Sequence, residues 1–233
     1  MVVVPTLCAG GIVGAAEKAK TSSAQALART ELLLNSSYPR GWQGQGSGSS
    51  STQASTFAGF DTTTLAQLTQ CMGIATTNIS THPAEAAAQE WGDNNSNAAM
   101  TDTVDVFPTA ASAAVDVEAW GSPKTPTCLE QQFGSSLSGV LNGWLGRGAV
   151  FGRGVAAEQS IPNYGDHTSD LTFSAPVSLY GLSGTDYLDV VEVQKGRSES
   201  ILMFDNTGTR VSTRIIDQLT RTAAARMTGQ VST

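Results

Sequence analysis

The stretch Asp170–Phe204, DLTFSAPVSLYGLSGTDYLDVVEVQKGRSESILMF, decides the fold. Its opening residues alternate. Leu171, Phe173, Ala175, Val177 and Leu179 face one way, and Thr172, Ser174 and Ser178 face the other. A period of two marks a half-buried β-strand, the kind found in an antiparallel sheet with one solvated face. Pro176 carries no amide hydrogen, so an edge or a bulge is expected there. Thr185–Gln194 and Ser198–Phe204 read as two further strands, joined by a tight hairpin at Lys195-Gly196-Arg197.

On the N-terminal side, Gly148–Ile161 (GAVFGRGVAAEQSI) reads as a strand interrupted by glycine. On the C-terminal side, Thr207–Gly229 reads as a helix. Val211, Ile215, Leu219, Ala223 and Met227 recur in steps of four, and Asp217 is placed to pair with Arg221. Further upstream, Ala84–Trp91 and Ala98–Phe107 read as two strands around the turn GDNNSN. Thr109 is placed to cap a helix with Ala110, Ala113, Val117 and Trp120 on one face, ended by Gly121 and Pro123. Thr125 is placed to cap the next, with Pro126 at its first position and Leu129, Phe133, Leu137, Val140 and Trp144 as its stripe. Asp61 and Gly73 bracket a short helix with Leu65, Leu68 and Met72 on one face. Ala15–Leu34 favours helix and stops at Pro39 and Gly41. The Gly/Ser-rich stretch from Gly44 to Ser55 has no apolar anchor and is expected to be irregular.

No strand–helix–strand alternation appears. The fold class expected is α+β: a mostly antiparallel sheet of five to six strands flanked by helices, with the helices on one face. The organisation expected is an export or lipid-anchor segment over residues 1–16, an N-terminal helix and flexible loop over 17–56, and an α+β domain over 57–229.

Composition narrows the partners. The 233 residues carry a formal charge of −7, with only 14% charged residues, and no Lys/Arg cluster stands against the acidic balance. Nucleic acid and anionic membrane surfaces are therefore poor partners. Met1–Ala16 is the one long apolar run. It is too short and too rich in glycine for a membrane span and reads as the core of an export signal, with Cys8 a candidate for lipid attachment.

Chemistry is sparse. His82 and His167 have no cysteine or carboxylate at metal-ligand spacing, apart from Asp166 and Asp170 around His167, which read as a loop entering a strand. No nucleophile-elbow, phosphate-loop or zinc-protease pattern is present. A Ser–His–Asp triad assembled from distant positions would use His167 as its base. Cys128 sits in the first turn of a helix, a place that can activate a thiol. It also lies about 100° or more from the apolar stripe of that helix, and Cys71 ends another helix. In an exported chain this pair is expected as a disulfide, with Cys8 outside it and a reactive thiol as the alternative. Neither a catalytic residue, a cofactor site nor a metal site is assigned.

Several of these pieces together resemble a group of actinobacterial exported proteins and lipoproteins. They are the opening Leu32 to Trp42, Cys71-Met72-Gly73, Val104 to Phe107, Cys128-Leu129, Pro162 with Gly165-Asp166, and the run from Asp189 to the C-terminal helix. The group is similar to the PknH-type extracellular sensor domain and, more loosely, to PsbP-like folds. Tyr38 stands where the group's opening has Asp, and one cysteine pair stands where the PknH-type domain is expected to have two disulfides. The resemblance implies an antiparallel sheet flanked by helices, with a cleft for a small ligand or an envelope partner. The function expected is a non-enzymatic exported binding domain. The alternative is an accessory or structural subunit of an envelope complex.

Overall fold

The computed structural model describes residues 23–44, 62–75, 85–93, 98–133, 149–179 and 182–228. The helices are α1 (residues 23–31), α2 (Thr62–Met72), α3 (Ala110–Trp120), α4 (Thr125–Phe133) and α5 (Thr213–Arg226). The strands are β1 (Trp42–Gly44), β2 (Glu85–Asp93), β3 (Ala98–Val106), β4 (Ala149–Phe151), β5 (Val155–Glu158), β6 (His167–Leu179), β7 (Leu182–Lys195) and β8 (Ser198–Thr207). All belong to one antiparallel sheet in the order β1-β2-β3-β8-β7-β6-β4, with β5 also paired to β6.

The sheet is thus seven strands wide, against the five to six that the sequence suggests. The width comes from its two edges. Trp42–Gly44, part of a segment expected to stand apart from the domain, pairs with Trp91–Asp93. The Gly-interrupted strand is two short ones. Ala149 pairs with Leu179 and Val155 with Ser174, so one extra residue is inserted between β4 and β5 opposite Pro176. Gly152 N donates to the Pro176 carbonyl, and the ring leaves no donor to continue the ladder.

Helices cover both faces, where one was expected. Alternation explains it. In the central strand β8 both sets of side chains are buried, so neither face can be left to water. Leu171, Phe173, Val190 and Ile201 pack under α2, α3 and α4 through Leu68, Met72, Trp120 and Leu129. On the other face Met100, Val191, Leu202 and Phe204 pack under α5 through Ile216, Leu219 and Ala223. Ala24, Ala28 and Leu32 set α1 on Val104 and Val106 of the same face. Tyr38 stacks on Trp91 at 3.9 Å, which pins residues 35–44 to the sheet.

Local signals mostly hold. Thr109 caps α3 in a reciprocal box with Ser112, and Gly121 ends it, although Ala110 is exposed. Ser212 caps α5, and Arg221 donates to Asp217 at 2.8 Å. Gly73 has φ +77 and Gly196, in the two-residue hairpin between β7 and β8, has φ +58, both in the left-handed region that glycine enters without strain. Thr125 is not a cap: it lies within α4, and its hydroxyl donates to the Ala119 carbonyl at 2.8 Å. Asp61, His82, Leu137, Val140, Trp144, residues 1–16 with Cys8, and the Gly/Ser-rich stretch beyond Gly44 lie outside the described residues.

Candidate functional site

Where α3 ends over the start of β6, the two elements leave a cleft of about 550 Å³. Val117, Glu118 and Gly121 form one wall; Asn163 and the run from Asp166 to Ser169 form the other. That volume falls within the usual range for small-ligand pockets. The loop before β6 is held against the end of β7. Asp166 N donates to the Gln194 carbonyl at 2.8 Å, and the Asp166 carboxylate accepts from Gly196 N at 2.7 Å. Gly165 is obligatory there, since a Cβ would lie 2.2 Å from the Gln194 carbonyl oxygen. Thr168 bonds Asn163 at 2.9 Å and closes the loop on itself.

Two side chains stand exposed at the cleft, and a third polar group lies buried beneath them. His167 Nε2 lies 3.7 Å from Glu118 Oε1, both well exposed. Ser169 is buried on the floor beside Gly121, and its hydroxyl has no hydrogen-bond partner. No serine or cysteine hydrogen-bonds to His167 among the described residues. The sequence triple Asp166, His167 and Asp170 does not converge. Asp166 is tied to Gly196. His167 and Asp170 are three apart in a strand and so face opposite sides of the sheet. No group of three or more His, Cys, Asp or Glu side chains among the described residues is arranged to hold a metal ion.

Cys71 and Cys128 form a disulfide, with Sγ–Sγ 2.04 Å and Cα–Cα 5.7 Å. It joins the end of α2 to the first turn of α4 and encloses β2, β3 and α3. The Cys128 thiol is therefore spent on structure.

Two charged arrangements went unread in the sequence. Under α3, Asp116 meets Asp105 of β3 and Glu199 of β8, and Glu199 in turn meets Glu192 of β7, all buried. Asp105 and Glu199 are direct cross-strand partners, and neither oxygen of Asp105 meets a donor. Burial is the main cause that raises all three of Asp105, Asp116 and Glu199, with neighbouring carboxyls adding to Asp105 and Glu199; Asp116 is pushed to about 6. On the opposite face, Asp102 accepts from Leu33 N at 2.7 Å and from Gln89 Nε2 at 2.9 Å, and burial pushes it to about 6. The visible signal was acidic residues set among apolar ones in TDTVDVF and DVVEVQ.

No protein-family model matches the chain, and none of the curated proteins matches it. Among solved structures it is similar to the extracellular domain of PknH from Mycobacterium tuberculosis. The TM-score is 0.51 at 11% identity, covering 87% of this chain and 96% of that one. At that identity the likeness is one of fold.

Proposed function

We propose that this chain is a non-enzymatic exported domain that binds a small polar ligand in the cleft between α3 and the start of β6. The cleft itself carries the reading: a concave site with an open imidazole, a carboxylate and an unpartnered buried hydroxyl, supported on a rigid sheet. Glu118 and Asp166 outweigh the single His167, so a neutral or cationic ligand suits the site better than an anion. Export is supported by the disulfide, which persists in oxidising compartments, and by the extracellular placement stated for the PknH domain that shares this fold. The non-enzymatic reading is supported by His167, which no serine or cysteine among the described residues meets, and by Cys128, which is held in a disulfide.

The test is native mass spectrometry of the protein isolated from its own compartment, beside a His167→Ala, Ser169→Val double variant of equal thermal stability. A small-molecule adduct on the wild type that the variant lacks is the result expected. An adduct retained by both would place the ligand elsewhere.

A further inference from the structure

A second cavity lies on the other side of β6, against the first turns of α5. It measures about 160 Å³, room for about five groups of water size at roughly 30 Å³ each. Ile161, Pro162 and Ile216 give it apolar walls, and Asp170, Arg210 and Asp217 supply its charges.

Pairing these charges leaves one carboxylate over. Arg210 Nε donates to both oxygens of Asp189 at 2.9 Å, and its Nη2 donates to Thr172 at 2.7 Å and again to Asp189. Arg221 and the Tyr164 hydroxyl both donate to Asp217. Each of these pairs is neutral as a unit. Asp170 remains. It is 7% exposed, and its Oδ1 is buried with no hydrogen-bond partner. Arg210 lies near enough to lower its pKa, yet burial and Asp189 prevail and push it to about 6. At neutral pH most copies thus hold an under-compensated buried carboxylate, an arrangement that costs free energy unless a donor or cation meets it.

We propose that this cavity binds a small primary ammonium ion. Its N–H groups meet Asp170, and its short hydrocarbon body lies against Ile161, Pro162 and Ile216. The size of the cavity limits the ligand to a few heavy atoms. The commitment of Arg210 to Asp189 argues against a carboxylate or phosphate taking its place. The site is separate from the α3 cleft, and neither proposal depends on the other.

The experiment is a titration of the whole chain with ethylammonium chloride at pH 7.5, followed by the backbone amide shifts of Asp170, Arg210 and Ile216. Saturable shifts are expected. They should be absent with equal sodium chloride and with tetramethylammonium, which has no N–H to offer. They should weaken at least tenfold at pH 5, where Asp170 is protonated, and vanish in Asp170→Asn. If that variant does not fold, Ser160→Phe closes the exposed rim without touching the carboxylate and should abolish the shifts. No saturable shift in the wild type would overturn the proposal. So would equal affinity in Asp170→Asn or Ser160→Phe, or saturation by sodium acetate with ethylammonium silent.

Discussion

Replacing Asp102 by Asn should make the protein less sensitive to alkaline pH. Asp102 is fully buried in β3, and its Oδ2 accepts from both Leu33 N and Gln89 Nε2, while Oδ1 has no partner. Burial raises its pKa from 3.8 to about 6. For a carboxyl raised on folding, stability is fully present below pH 4 and is lost as pH rises through 6. A shift of about two units corresponds to about 3 kcal/mol, roughly half of it falling between pH 5 and pH 8. Asn can keep both accepted bonds through its carbonyl and carries no charge at any pH. Its amide would stand where Oδ1 stands now, at a cost of about 1–3 kcal/mol that does not vary with pH. Urea unfolding at pH 5 and pH 8 separates the two effects. The loss in stability between those pH values should be about 1–2 kcal/mol smaller in the variant than in the wild type. An unchanged pH difference would mean that Asp102 does not titrate with folding in this way, whatever the absolute stability of the variant.

The wild type itself should be less stable at pH 8 than at pH 5, because Asp116, Asp105 and Glu199 are raised in the same direction; a flat or rising urea profile would contradict the buried carboxyl cluster. Removing the disulfide by Cys71→Ser with Cys128→Ser should cost about 4 kcal/mol, the chain-entropy value for its separation of 57 residues, seen as a lower urea midpoint with little change in native far-UV circular dichroism. Arg210→Ala strands the buried Asp189 carboxylate and should cost about 3–5 kcal/mol at pH 8; a loss below about 1 kcal/mol would mean that the pair is not buried as described. Gly165→Ala puts a methyl against the Gln194 carbonyl and should lower the melting temperature by an amount corresponding to about 1–3 kcal/mol, and a neutral result would place the β6 entry loop wrongly.

Most of the sheet was legible because its signals are local. Alternation in β6, a glycine in the β7–β8 hairpin, and a proline opposite a broken neighbour each state their geometry in a few residues. The second helical layer was not legible. Thr172 and Asp170 look solvent-facing in a half-polar strand, and only the return of Arg210 and α5 to that face shows that they are covered. The Cys71–Cys128 pairing was legible from two helix ends. The cleft was not, because it needs the end of α3 to arrive over His167 from a distance of about 50 residues in sequence. The buried carboxyls were visible as misplaced charges, but which of them meet depends on strand register.

A ligand held in the α3–β6 cleft would report on itself through the amides that line it. The most direct measurement is protein-observed ¹⁵N NMR of the folded chain against a library of small neutral and cationic polar fragments. The strongest hits should shift the amides of Val117, Gly121 and His167–Ser169 together, and His167→Ala with Ser169→Val should remove those shifts while leaving the rest of the spectrum in place. Hits that leave these amides unmoved, or that bind the double variant equally well, would contradict a ligand site in this cleft.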